Sequence, residues 1–463
     1  MILRGGAPGG AAGRPTEPFH LFRPALTLLL GGYLFFGRSF AYVSVPGTPI
    51  FLGEIVLGIG IVEALRVPLA TRTVIRRSRV LAIVAIFMAG CGIRFAADVG
   101  GYGLDAVRDS AIWYYGAFAL LVAAACQTNP MFLPRLIHAY GRVLPVFLVW
   151  SPAAVIIGRM DLDRFVPGSE TPINAFKPGD IAVNVSVGLA FLWIGEARPG
   201  ARGTWAIPFG LLGLLAAGSQ NRGGFLAGLT ALALMVKLVP DKRRVITKAA
   251  GWTAGVAIVL LVANPRIDVG RREISLDQIR TNVSSVIGVG GGAETDRSAQ
   301  NLQDTTSWRL AYWGKVVGDA LSPQYLLVGQ GFGPVLADKY GFQAGGAAAD
   351  QELRNAHNSH VTLLARVGFP LTLVWLLLWI TFVRTLRPAA SRAARSFEVL
   401  LRAWVVAAVI GILVNAIFDP VLEGPQVGIW LWVLVGVGAH LGLSSRAPGS
   451  AGVARPTSRV GEI

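Results

Sequence analysis

Only five histidines occur in the 463 residues. Two of them share the hexapeptide Asn355-Ala356-His357-Asn358-Ser359-His360, which leads straight into an apolar run. An imidazole with an ordinary pKa near 6.5 can take a proton from a hydroxyl at neutral pH. Two arginines stand in comparable positions. Arg222 lies in Gly218-Ser219-Gln220-Asn221-Arg222-Gly223-Gly224, a link between apolar runs too short to form a domain. If a helix starts there, its free N–H groups and the adjacent guanidinium favour an anion. Arg309 lies in Thr305-Thr306-Ser307-Trp308-Arg309-Leu310-Ala311-Tyr312-Trp313, where Thr or Ser can cap a helix. Its aromatic face suggests a helix lying in a membrane interface. Guanidinium groups match phosphate oxygens bidentately. Two of them with an imidazole would suit group transfer from a phosphate-bearing donor to a hydroxyl. Gly329-x-Gly331-x-Gly333 adds a turn that permits close backbone approach. It has no βαβ setting, so it is not a dinucleotide fingerprint. Each feature also has a plainer reading: an arginine that snorkels, interface histidines, an amphipathic surface helix.

The elements that must position these groups follow from composition. The chain is 53% hydrophobic and only 15% charged, with mean hydropathy +0.56. Soluble proteins carry about 25% charged residues. The 57 glycines suit helices packed closely in lipid. The balance excludes a disordered chain, a coiled coil and a disulfide scaffold, and it predicts an all-α, polytopic transmembrane helical bundle. Windows of about 19 residues predict about twelve spans. They lie near 22–37, 49–66, 80–97, 111–126, 136–157, 179–196, 204–219, 223–239, 247–264, 357–383, 399–418 and 426–443. No cleavable signal peptide is evident. Cys91 and Cys126 lie in or at the ends of apolar runs and read as small buried residues.

The net charge of +16 would suggest nucleic acid in a soluble protein. Here it reads as topology, and no nucleic-acid partner is expected. Alternate loops collect the arginines and lysines, among them Arg72, Arg76, Arg77, Arg243, Arg244 and Arg387. The intervening loops carry acids: Asp98, Asp105, Asp109, Asp419 and Glu423. The positive-inside rule then puts both termini in the cytoplasm. The expected organisation is a tail 1–21, spans one to nine over 22–264, one large outer loop 265–356, spans ten to twelve over 357–443, and a tail 444–463. The three polar segments fall on the outer side, where a lipid-linked head group would sit.

With these motifs in that order around one large loop, the chain resembles the O-antigen ligase/polymerase superfamily, membrane glycosyltransferases of the GT-C type. The segments that carry the likeness are Ser219-x-x-Arg222, Arg309-Leu310-x-x-Trp313, Gly329-x-Gly331-x-Gly333, and His357-Asn358 followed by Leu364-x-x-x-Gly368. Roughly residues 205–385 are covered. The resemblance implies transfer of a glycan from a polyprenyl-diphosphate carrier to an acceptor hydroxyl, without metal or cofactor. The transfer would occur at the outer face of a bacterial plasma membrane, and the acceptor would be a glycan or a lipid-linked molecule. It assigns diphosphate binding to Arg222 and Arg309 and the general base to His357. His360, Asn358, Gly329, Gly331 and Gly333 are accessory candidates. One departure concerns Arg366, which stands near a point where members often have an acid.

Two rival readings remain at this stage. A metal-dependent GT-C enzyme would want acids in the first outer loop, which has none around Arg38–Gly47; Asp161-Leu162-Asp163 is a D-x-D pattern elsewhere. A transporter or flippase of lipid-linked sugar would want polar groups deep in the spans. Arg94, Arg142, Glu54, Glu63 and Arg366 are those available, and most lie close enough to an end to snorkel.

Overall fold

A computed structural model describes residues 17–160, 162–195, 203–239, 247, 251–252, 255, 267–269, 272–274, 297–342, 354–387 and 397–444. Most of the expected span 247–264, most of the expected tails 1–21 and 444–463, residues 265–266, 270–271, 275–296 and 343–353 of the expected loop 265–356, and Asp161 of the D-x-D pattern lie outside the described residues.

Every other predicted span overlaps helix, 111–126 being divided between two, and further helices lie outside the spans. In chain order these are α1 (Phe22–Ala41), α2 (Leu52–Leu65), α3 (Pro68–Arg77), α4 (Arg79–Tyr102), α5 (Leu104–Asp109), α6 (Ala111–Tyr114), α7 (Ala117–Thr128) and α8 (Phe132–Ile157). Then follow α9 (Pro178–Gly195), α10 (Ile207–Gln220), α11 (Arg222–Leu238), α12 (Arg297–Ala320) and α13 (Leu336–Tyr340). Last come α14 (Ser359–Leu386), α15 (Phe397–Phe418) and α16 (Pro425–Ser444). Two short strands, Ile267–Val269 and Arg272–Ile274, pair antiparallel. The basic segment at α3, expected as a loop, is helical. Among the described residues, six stretches are long and apolar enough to cross a membrane: Arg79–Tyr102, Ala111–Thr128, Phe132–Ile157, Ser359–Leu386, Phe397–Phe418 and Pro425–Ser444.

Small residues set the tightest packing. The first turns of α9 and α11 meet glycine on glycine: a Cβ on Gly224 would fall on the Gly179 backbone. Gly411 of α15 packs on Ala231 of α11 in the same seam. Without a hydrophobic drive between helices in lipid, such close approach supplies the contact energy. Cys91 and Cys126 are buried free thiols.

The tenth predicted span is not one helix. Gly368 inside α14 has φ 75° and ψ −179°, a left-handed value open to glycine at little cost. Fifteen residues of straight helix would separate His360 from Trp375 by about 22 Å. Instead Trp375 Nε1 donates to His360 Nδ1 at 3.2 Å, so the chain folds back at Gly368. The reason is local. Pro370 has no N–H to give the Arg366 carbonyl, and Phe369 N–H turns to the Leu326 carbonyl at 2.8 Å. The released carbonyls of Ala365 and Arg366 accept from the amides of Gln330 (2.6 Å) and Gly331 (3.0 Å). Loop and broken helix therefore complete each other's backbone hydrogen bonds.

The same contact explains the glycine turn. Gly329, Gly331 and Gly333 all have positive φ, at 67°, 87° and 113°. A Cβ would strike the Arg366 carbonyl at the first, the Arg94 guanidinium and Asp98 carboxylate at the second, and the Tyr102 ring at the third. Asp98 accepts from Phe332 N–H at 2.8 Å, and Asp109 from Gly333 N–H at 2.9 Å. The three glycines thus bind protein, laying the loop against α4.

Charges that the sequence suggested would snorkel are instead held inside the fold. Arg366 is 1% exposed; it pairs with Asp109 at 2.7 Å and donates to the carbonyls of Gly331, Pro334 and Arg354. Arg94 pairs with Asp98 at 2.8 Å. Glu54 accepts from the hydroxyls of Tyr114 and Tyr115, and Glu63 receives the amides of Leu21 and Phe22 at the start of α1. Arg142 alone of these is exposed.

Removing one partner of a buried ion pair costs roughly 3–5 kcal/mol. Arg366→Met should therefore lower the thermal midpoint of the detergent-solubilised protein sharply, or prevent recovery of a monodisperse species. Gly331→Ala should do the same, while Gly314→Ala, on an open helical surface, should hold or slightly raise the midpoint, since alanine favours a helix interior over glycine. Fluorescence-monitored thermal unfolding measures all three.

Candidate functional site

At one end of the bundle the C-terminus of α15 forms a corner, Phe418-Asp419-Pro420, on which four other elements converge. Arg222 opens α11, as its place in the sequence suggested. Asn221 caps that helix, its Oδ1 accepting from Gly224 N–H at 2.8 Å. The neighbouring Gly223 lies so close to Phe418 that a Cβ would overlap its side chain. The start of α11, which Arg222 opens, is thus packed against Phe418.

Arg309 reaches the same residue, its Nη1 donating to the Phe418 carbonyl at 3.0 Å. Its helix, α12, starts at Arg297, so Thr305, Thr306 and Ser307 lie inside it and do not cap it. The aromatic face does not lie on lipid. Tyr312 and Val316 are fully buried in a small separate core with Leu336, Ala337, Ala356 and Ala365. Tyr312 Oη donates to the Asn355 carbonyl at 3.2 Å, and Trp313 Nε1 to the Ala356 carbonyl at 2.7 Å. The spacing Arg309-x-x-x-Trp313 is thereby explained: one turn of helix holds the Phe418 corner with one residue and the strand before His357 with the other.

His357 carries the clearest backbone strain in the region. It is a non-glycine at φ 49°, its N–H bonded to Asn355 Oδ1 at 3.1 Å. Such a conformation costs on the order of 1–3 kcal/mol and marks functional sites more often than others. The ring stands 6.4 Å, centroid to centroid, from that of Trp308. Among the described residues neither of its ring nitrogens makes a hydrogen bond. Burial and the nearby Arg309 and Lys177 cations hold its pKa below the ordinary histidine value, with Asp419 partly opposing them. The imidazole is thus neutral at pH 7 and open to a hydroxyl proton. Burial also lowers the pKa of Arg309, against Asp419, but a guanidinium stays charged.

His360 differs. Its Nδ1 receives the Trp375 indole N–H, and its Nε2 lies 3.0 Å from the Leu413 carbonyl. The acceptor role of Nδ1 puts the proton on Nε2, and both nitrogens are engaged by protein. Asn358 caps the first part of α14, accepting from the amides of His360 and Val361. These two accessory candidates, like the three glycines, have structural duties here.

The sequence reading missed four polar residues at this corner. Lys177 Nζ pairs with Asp419 Oδ1 at 3.1 Å, and Asn415 Nδ2 donates to Asp180 Oδ1 at 3.1 Å. Lys177 precedes and Asp180 lies in the first turn of α9, which meets the first turn of α11 through Gly179 and Gly224. Asp419 figured in the sequence reading for topology alone; Lys177-Pro178-Gly179-Asp180 ahead of an apolar run was the available signal. Behind them lies Glu423. Its Oε1 is sealed from water without a hydrogen-bond partner among the described residues, and burial pushes its pKa up to about 7, with Arg366 only partly opposing.

Arg309, Lys177, Asp419 and His357 thus gather at one corner of the helical bundle, and α11, which Arg222 opens, packs against it through Gly223. Residues 207–376 match the family model described as O-antigen ligase, in line with the likeness that the motifs carry. A comparison with curated proteins found no match.

Glu423 also sets a pH dependence. Its folded pKa lies above the unfolded value of about 4.5, so the folded state holds a proton that the unfolded chain has lost. Stability should fall as pH rises from about 4.5 to 7. Glu423→Gln should flatten that slope; thermal midpoints across that range measure it.

Proposed function

We propose that the chain is a membrane glycosyltransferase that moves a glycan from a polyprenyl-diphosphate carrier to an acceptor hydroxyl. Arg222 and Arg309 grip the carrier's diphosphate, and His357 is the general base. The single observation that supports the reading is that Arg309 and His357, from separate stretches of chain, meet at the Phe418-Asp419 corner, against which the start of α11 with Arg222 packs. The leaving diphosphate is a weak base and needs charge stabilisation rather than a proton. The acceptor hydroxyl is the poor nucleophile. His357 takes its proton as the oxygen attacks the anomeric carbon, and the bond from that carbon to the phosphate oxygen breaks. One base and one displacement give inversion. No metal takes part in this scheme, so transfer should persist in EDTA.

The corner then faces the outer side of a bacterial plasma membrane, with both termini in the cytoplasm. The transporter reading is weaker, because four of the five polar groups it would use (Glu54, Glu63, Arg94 and Arg366) are fixed in structural contacts. Ligase, polymerase and protein-glycosylating activities would share this site.

Loss of a general base costs about 10²–10⁴-fold in rate. His357→Ala should fall in that range with purified protein and lipid-linked donor, and near-normal turnover would defeat its role as base. The transfer rate should rise with pH as His357 loses its proton, with the midpoint of the rise below 6.5. Asp419 is the anion that raises this pKa, so Asp419→Asn should move the midpoint lower still. Initial rates between about pH 5 and 8 cover the titration.

A further inference from the structure

We propose that the turn Leu321–Val328, within the loop expected outside the membrane, is embedded in the acyl boundary of the leaflet on the site side. The partner it fits is lipid hydrocarbon.

Three observations carry this. Leu327 is 68% exposed and Val328 51%, large apolar side chains on a segment whose neighbours Gly329 to Gly333 are buried. They do not stand alone. The next residue but one in space is Phe369, whose N–H bonds the Leu326 carbonyl. Phe369 is exposed and begins a stripe at helical spacing, Leu373, Leu376, Leu377 and Ile380, all exposed. That stripe is the lipid-facing side of the membrane-crossing part of α14, so Leu327 and Val328 extend an apolar surface already in lipid.

Depth agrees. Phe369 lies about 25 Å along the helix from Leu386 at 1.5 Å per residue. Basic residues Arg384 and Arg387 mark the opposite boundary there. A hydrocarbon core is about 30 Å thick, so the tip of the turn falls inside its edge.

Part of the turn's backbone is paired within the protein. Lipid offers no partner for an open N–H or C=O. Ser322 O accepts from Tyr325 and Leu326 N–H, Tyr325 O accepts from Gly329 N–H, and Leu326 O accepts from Phe369 N–H. Higher up, Pro323 and Gln324 are exposed, and Lys339 Nζ sits 4.1 Å over the Tyr325 ring. An amphipathic ring beside a cation is the composition of a headgroup layer. The turn thereby pins the glycine segment and α12 at a fixed depth beside the candidate site.

The test uses full-length protein in phospholipid vesicles, carrying Leu327→Cys or, separately, Val328→Cys, labelled with an environment-sensitive fluorophore. Gly314→Cys, on the exposed surface of α12 with open space about its Cβ, is the aqueous reference. Unsubstituted protein gives the background from buried Cys91 and Cys126. Iodide should quench the probe at 327 and 328 roughly threefold less than at 314, and acyl-chain nitroxide lipids should quench it more strongly than at 314. Equal iodide quenching at all three positions, with no nitroxide effect at 327 or 328, would overturn the proposal. If one variant fails to reconstitute, the other decides the matter alone.

Discussion

The arrangement depends on one helix that cannot continue. Pro370 withholds the N–H that the Arg366 carbonyl needs, and Gly368 adopts a dihedral other residues resist. Nine residues of α14 therefore fold back on the rest, and the freed carbonyls accept the amides of the glycine turn. Two consequences follow from this single break. The large loop is fastened to the bundle through its own backbone, and the short helix that starts at Ser359 brings His357 to the end of α15.

A second constraint acts from the other side. The glycine seam between α9 and α11 places Arg222 and Lys177 at one level, and Phe418 of α15 closes against Gly223. Arg309 then arrives from above, through a helix whose aromatic face is spent on a small core of its own. Its Trp313 fixes the Ala356 carbonyl, one residue from the strained His357. The buried charges below, Arg366 with Asp109 and Arg94 with Asp98, hold the scaffold rather than the chemistry. Arg366 serves as the pin between loop and helix.

Much of this was legible in the residues. Apolar runs mark the helices because lipid demands about 20 apolar residues in sequence, and the break at Asn221 is marked by a capping asparagine. Arg222, Arg309 and His357 stood out because charge at a membrane boundary is costly without a purpose. What stayed hidden was pairwise. Nothing local says that Asp98 and Asp109 would receive loop amides, or that Trp375 would return to His360. The aromatic face of α12 looked like an interface helix because a periodicity shows which residues share a face but not what covers it. Asp419 and Lys177 are a charge pair separated by most of the chain, which only the folded structure brings within reach.

The division of labour at the corner is the central claim, and donor binding measured apart from turnover tests it most directly. A purified polyprenyl-diphosphate-linked glycan is titrated into the reconstituted protein and its Arg222→Ala, Arg309→Ala and His357→Ala variants. Each arginine variant should bind about tenfold or more weaker, the loss expected for about 1.4 kcal/mol of phosphate contact, while His357→Ala binds as the parent does. The account is contradicted if the arginine variants bind donor normally and His357→Ala alone loses it.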